Sequence, residues 1–210
     1  MDIRLKLVQI THALLQKAGR GGSFPGELAL KMDPDFIQKF KMPEIVVLVT
    51  GTNGKTTTSN LIAESLRKAG LKVINNRRGD NLNVGIATLL ASNANSNYEV
   101  QGDAAVIEVD ELTLYRQFKN LHPTILVVNN FFRDQLDRAG EMETIIRKIQ
   151  EVTKDFTGDI ILNGDDPNTL RIQDTALKAR IHTFSVDRNE VSKDKTDEAS
   201  EGKFCPRCGK

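Results

Sequence analysis

Three short runs of this chain are almost wholly apolar: Ile45–Thr50 (IVVLVT), Ala104–Val109 (AAVIEV) and Thr124–Asn129 (TILVVN). A strand with one face in water alternates apolar and polar residues, whereas runs like these are buried on both faces, as in a parallel sheet covered by helices. Leu71–Asn75, Asp159–Asn163 and Arg180–Ser185 read as further strands. Helical patterns at Thr56–Ala69, Leu112–Asn120, Glu141–Lys154 and Pro167–Ala179 fall between them. The expected fold is therefore α/β, a three-layer domain with a mostly parallel sheet over residues 44–186.

The segments around that domain differ in composition. Residues 1–43 form a lead-in whose first helix, Ile3–Ala18, carries Ile3, Leu7, Ile10 and Leu14 on one stripe with Val8 and Leu15 beside it; Gly19-Arg20-Gly21-Gly22 ends it. That stripe is expected to pack on the main domain. The competing reading rests the helix on a membrane surface, with Arg4, Lys6 and Lys17 flanking the stripe. Residues 187–203 hold ten charged residues in seventeen with a single Val, and read as a linker. Residues 204–210, FCPRCGK, end in Cys205-Pro-Arg-Cys208, one knuckle of a Cys₄ zinc ribbon. No other cysteine completes the set, so the expectation is half of a structural Zn²⁺ site.

Charge and targeting narrow the function. Twenty-nine Lys and Arg against 28 Asp and Glu leave a net charge of +1, without the cationic excess that neutralises nucleic-acid phosphates. The same balance and the absence of Trp argue against a zinc-ribbon nucleic-acid binder. Apolar runs are strand-sized and the start has no signal-peptide core, so a reduced cytosolic location is expected.

The strand IVVLVT runs directly into Gly51-Thr52-Asn53-Gly54-Lys55-Thr56-Thr57-Thr58, and a helix follows. Strand, glycine loop and helix in that order make a phosphate cradle. Gly51 and Gly54 allow a tight turn, the loop amides and helix N-terminus supply donors, Lys55 reaches the outer phosphates and Thr56 is placed for Mg²⁺. Val49 stands where the full Walker pattern has its first glycine, so the loop is a shortened variant. Glu108 ends an apolar strand at the edge where α/β ligands bind, and a carboxylate there favours metal ligation over simple pairing. Asp110 and Glu111 are assigned to the start of the next helix. Asn129–Arg138 (NNFFRDQLDR) forms a polar cluster at the same edge, and Asn163-Gly164-Asp165-Asp166-Pro167 either caps a helix or meets the base of a nucleotide.

These pieces together resemble the central ATP-binding domain of the Mur ligases and folylpolyglutamate synthetases. With RGGSFPGELALKMDP, NNRRGDNLNVG, EVDE, RDQLDRAGE and a Cys-Pro-x-Cys-Gly insertion added, the chain resembles the MurT family, the ligase subunits of lipid II isoglutaminyl synthase. The resemblance implies that ATP phosphorylates the α-carboxylate of the stem-peptide glutamate of lipid II. Ammonia from a glutaminase partner, GatD, then displaces phosphate. It implies Lys55 on the β/γ-phosphates, Thr56 and Glu108 on Mg²⁺, Asn163 at the adenine, and a role for Asp134 not specified further. A lipid-linked acceptor would place the work at the inner face of the membrane.

Gln135 stands where muropeptide-adding ligases carry a metal-binding His, which argues against a second metal, and Lys148 is near the expected place of their carbamylated lysine without a motif to support it. Only 44 residues precede the first strand, too few for a UDP-sugar domain, and the expected C-terminal domain is missing, which implies a fragment. The competing functions are a glutamate-adding ligase of the folylpolyglutamate or muropeptide type, and a P-loop ATPase whose turnover is governed by a protein partner.

Overall fold

Six strands, β1 (Ile45–Thr50), β2 (Val73–Asn75), β3 (Ala104–Glu108), β4 (Ile125–Val128), β5 (Asp159–Asn163) and β6 (Arg180–Phe184), form one sheet in the order β2-β3-β1-β4-β5-β6. Every pairing between them is parallel. The computed structural model describes residues 2–19, 22–131 and 139–187, with 139–141 described by backbone alone.

The strand order decides which face each helix covers. Crossovers between parallel strands are right-handed, so a connection that runs one way across the sheet lands on one face and its opposite lands on the other. Only β1→β2 runs toward the β2 edge, and its helix α3 (Lys55–Lys68) packs on β1, β2 and β3. The remaining connections run toward β6 and bring α4 (Asn83–Ser92), α5 (Glu111–Leu121), α6 (Ala139–Thr153) and α7 (Pro167–Leu170) to the other face.

The cores show the same division. Val46, Leu48, Ile107, Leu126, Val128, Ile160 and Leu162 point into the large core, while Val47, Val49, Val106 and Val127 point toward α3. Beyond α3, the same face of β4 to β6 has no described helix over it.

The lead-in contributes to the large core. Leu5 and Val8 of α1 (Ile3–Lys17), Ala29 of α2 (Phe24–Met32), and Phe36, Ile37 and Phe40 around a 3₁₀ turn are all buried there. Phe36, Phe40 and Tyr98 stack edge to face at 5.2–5.9 Å. Gly26 permits the closest approach: a Cβ there would lie 1.9 Å from the Val84 carbonyl oxygen of α4. At the N-terminus Asp2 caps α1 and accepts from the Tyr98 hydroxyl at 2.7 Å and from Arg4, which holds its carboxyl far below the usual range.

Two expectations need correction. The stripe Ile3, Leu7, Ile10, Leu14 is the outward face of α1, with Ile3 82% and Leu14 62% exposed, whereas Leu5 and Val8 are buried. The helix has two apolar faces, and Gln9, whose amide bonds the Ala91 and Ala94 carbonyls, turns the other one inward. The helix expected at Pro167–Ala179 is also shorter: α7 stops at Leu170, and a 3₁₀ turn covers Arg171–Asp174. The Arg171 carbonyl accepts from Gln150 of α6, and Thr175 N–H turns back to Ile172, so the α ladder is not continued. The sequence also concealed α2 and α4. In α4 six of ten residues are buried, from Gly85 to Ala91, which removes the polar face that would mark a helical period.

Candidate active site

β1 delivers the chain to the loop at the carboxyl edge of the sheet, where β1 lies between β3 and β4. Gly51 has φ of +127° and its missing Cβ would meet the Asn130 backbone at 2.9 Å, so glycine is needed for both the turn and the close contact. Asn130 holds the loop by main chain and side chain: Thr52 N–H donates to its carbonyl and Asn53 N–H to its Oδ1, both at 2.9 Å. Asn129 donates to the Asn53 carbonyl at 3.3 Å and to the Thr58 hydroxyl at 3.0 Å. Gly54, at φ +78°, then turns the chain into α3. The first internal bond of α3 is Thr58 N–H to the Gly54 carbonyl at 3.0 Å, so the amides of Lys55, Thr56 and Thr57 precede the helical ladder.

Lys55 lies over its own loop. Its Nζ donates to the Gly51 carbonyl at 2.5 Å and the Thr52 carbonyl at 3.2 Å, and stands 3.9 Å from Glu111 Oε1. Burial pushes the Glu111 carboxyl up, against the pull of Lys55. Asp110 caps α5 as expected, accepting from Leu112 and Thr113 N–H. Glu111 opens that helix too, but its side chain also reaches the loop, a contact that the sequence did not reveal.

Glu108, 2% exposed, faces the same place. Asn76 clamps its main chain with two bonds of 2.8 Å, one to each backbone polar atom. Asn81 donates to Oε1 at 2.8 Å, while Oε2 is buried without a partner among the described residues. Gly79, at φ +79°, leaves open the space between Thr56 and Glu108: a Cβ there would lie 3.1 Å from Thr56 Oγ1 and 3.4 Å from Glu108 Oε2. An unpartnered carboxylate oxygen beside a hydroxyl and a phosphate cradle is a hard-oxygen donor set that fits Mg²⁺. Among the described residues no three His, Cys, Asp or Glu side chains cluster, so phosphate oxygens and water would complete the shell.

Two cavities flank Gly54. One, about 420 Å³, is lined by Thr52, Asn53, Lys55, Thr56, Thr57, Arg78, Gly79, Asn81 and Glu108. The other, about 490 Å³, is lined by Ile62, Val127, Ile161 and Phe184 with Asn129, Asn130 and Asn163, on the α3 face of the sheet where β4 to β6 lie open beside that helix. The first suits phosphates and a cation, the second a flat, mostly apolar ring. Of the two roles left open for the Asn163 motif, the helix cap is present, since Asp166 caps α7, while Asn163 itself lines the second cavity.

The family of the Mur ligase middle domain matches residues 49–206. The chain belongs to the Mur ligases. It is 34% identical over 199 residues to the lipid II isoglutaminyl synthase (glutamine-hydrolyzing) subunit MurT of Staphylococcus aureus strain COL, covering 91% of this chain and 42% of that protein. The corresponding Streptococcus pneumoniae R6 subunit is 34% identical, with 94% and 43% covered. The chain therefore spans less than half the length of these curated relatives. Among solved structures, MurF ligase from Thermotoga maritima in complex with ADP aligns with a TM-score of 0.57 at 21% identity, over 77% of this chain and 36% of that one. At that identity the likeness concerns the fold alone.

The Mur ligase middle domain of this chain brings Gly51, Thr52, Asn53, Gly54, Lys55, Thr56, Thr57 and Glu108 to one place, with Asn163 at the adjoining cavity. Lys148 lines neither; its Nζ lies 5.4 Å from the centre of the Tyr115 ring. Asp134, Gln135, Cys205 and Cys208 lie outside the described residues. The residues that sequence reasoning passed over are Asn76, Gly79 and Asn81, whereas Asn129 and Asn130 open the polar cluster expected at this edge. NNRRGDN and NNFF were visible as polar clusters after strands, but which strand each one braces depends on the sheet order.

Proposed function

We propose that this chain is the ATP-binding part of a MurT-type ligase subunit, which activates the α-carboxylate of the stem-peptide D-glutamate of lipid II for amidation by glutamine-derived ammonia. The observation that carries this reading is the unpartnered Glu108 oxygen facing Thr56 at the end of the Lys55 loop, next to a cavity fit for an adenine. The 34% identity to MurT proteins supports the acceptor and the nitrogen source.

In this reading the base enters between Ile62, Val127, Ile161 and Phe184, near Asn163. The amides that open α3 then meet the phosphates. Lys55, whose present partners are two backbone carbonyls and the Glu111 carboxylate, swings to the β/γ-phosphates and offsets charge as the terminal phosphoryl group departs. Thr56 and Glu108 would hold Mg²⁺, which neutralises phosphate oxygens when bound. A carboxylate resists direct attack by ammonia, and phosphorylation turns one of its oxygens into a leaving group. The nitrogen donor would be a glutaminase partner of the GatD kind. Among the described residues no helix is long and apolar enough to cross a membrane, and a lipid-linked acceptor would be met at the surface.

The test is acceptor dependence. The full-length protein with its glutaminase subunit should release ADP only when lipid-linked stem peptide is present, and hydroxylamine should trap the acyl phosphate as a hydroxamate. ADP release that ignores the acceptor and follows a protein partner alone would instead identify an ATPase switch.

A further inference from the structure

The wall of the cavity at Glu108 carries a cation that nucleotide binding as described above does not use. Arg78 lines this cavity, and among the described residues it has no hydrogen bond or ion pair; its neighbour Arg77 instead stands 3.8 Å from Glu64. The segment that presents Arg78 is firmly tied to the acid. Asn76 bonds Glu108 N–H and C=O and the Asp80 carbonyl, Gly79 N–H donates to the Asn76 carbonyl at 2.9 Å, and Asn81 holds Glu108 Oε1. Arg78 therefore has a fixed base and, among the described residues, a guanidinium without a partner.

Its place along the site is informative. The apolar cavity over β4 and β5 and the polar cavity at β3 share Asn53 and Gly54. A nucleotide with its base over β5 thus runs across Gly54 toward Glu108, and its terminal phosphate ends on the β3 side. Thr52 to Thr57 line the loop side there, and Arg78, Gly79 and Asn81 form a separate wall. In the ligase function proposed above, the group that comes to the terminal phosphate is a carboxylate, and two anions at bonding distance need an added positive charge between them. A planar guanidinium matches a carboxylate with two parallel N–H bonds.

We propose that Arg78 anchors a carboxylate subsite for the acceptor, which deepens and rests on the ligase function proposed above. One oxygen of the bound carboxylate attacks the γ-phosphorus. The bond from that phosphorus to the bridging oxygen breaks, and ADP leaves with the electron pair. Arg78 retains the other oxygen, which becomes the carbonyl oxygen of the acyl phosphate. Ammonia then attacks the carbonyl carbon, the C–O bond to phosphate breaks, and the phosphate leaves with one ammonia proton.

The experiment uses the full-length protein with its glutaminase subunit, ammonium as nitrogen source, and lipid-linked stem peptide as acceptor. In Arg78→Ala the acceptor KM should rise about ten- to hundredfold, the range for losing a hydrogen-bonded charge. The KM for Mg·ATP and the calorimetric affinity for Mg·ADP should stay within about twofold. Arg78→Lys, which keeps charge but not the planar fork, should recover part of the loss. An unchanged acceptor KM overturns the subsite, and so does a loss falling on Mg·ATP, which would make Arg78 a phosphate ligand. A wild-type enzyme without acceptor-dependent ADP release overturns the ligase function itself, and the subsite with it.

Discussion

Asparagines flank the loop after β1 on both sides, but they do different things there. On the β4 side, Asn129 and Asn130 bond the loop itself, and the cavity beyond them is neutral and largely apolar. On the β3 side, Asn76 and Asn81 bond Glu108 instead, and the cavity is lined by Lys55, Arg78 and that carboxylate. Asparagine serves both sides because its amide donates and accepts without adding charge. The comparison teaches that one flank sets the shape of the loop while the other sets the field around it, so damage to each should show in a different measurement.

Glu108→Gln should separate the two most sharply. The substitution keeps the shape and the Asn81 contact, removes the charge, and should cut turnover of the complete enzyme about a hundredfold, with a raised Mg²⁺ requirement. ADP titration without Mg²⁺ should show nearly unchanged affinity. A wild-type Mg²⁺ profile in this variant would assign the metal to another acid.

Gly51→Ala tests the opposite flank. With φ at +127° and Asn130 at 2.9 Å, the added methyl should cost about 2 kcal/mol or more. Chemical denaturation should show that loss, and nucleotide affinity should fall with it. A normal unfolding midpoint would mean that the Asn130 contact yields easily.

A smaller effect is expected from Phe184→Ala at the rim of the apolar cavity, where the ring is 45% exposed. Nucleotide affinity should fall about tenfold, with no change in the Mg²⁺ profile. Loss confined to the Mg²⁺ profile would reverse the assignment of the two cavities.

Glu111→Gln should have the mildest consequence. Burial holds the Glu111 carboxyl above its ordinary value of 4.5, so the folded state favours the proton. The stability that this proton gives is complete below the ordinary value and is lost as pH rises through the higher, folded one. Glutamine removes that loss, so near neutral pH the variant should be slightly more stable, with a flatter profile on the acid side. An unaltered pH profile would show that Lys55 fully compensates the buried charge.

Much of this architecture was legible because local pattern and burial coincide. Ile45–Thr50 and Asp159–Asn163 were bounded to the residue, since a short apolar run next to a Gly-containing turn has little freedom to slide. The failures lie where an element's partner decides its role. In α1 both Leu5/Val8 and Ile3/Leu7/Ile10/Leu14 make apolar stripes, and only the position of α2 and α4 selects the first.

By itself, the sequence determined the parallel α/β class and the phosphate-type loop from Gly51 to Thr57, because chain direction, glycine geometry and helix onset are local properties. It also singled out Glu108, the one acid within an apolar strand. Only the tertiary structure decided that Glu108 keeps one oxygen unpartnered while Asp110 is used as a cap and Glu111 faces Lys55. These outcomes depend on the register of β3 beside β1 and on the packing of the loop 76–81 against it, relations between segments about thirty to sixty residues apart. No local propensity encodes them; the physical reason is that a buried carboxylate takes its role from whichever donors the fold brings within hydrogen-bond reach.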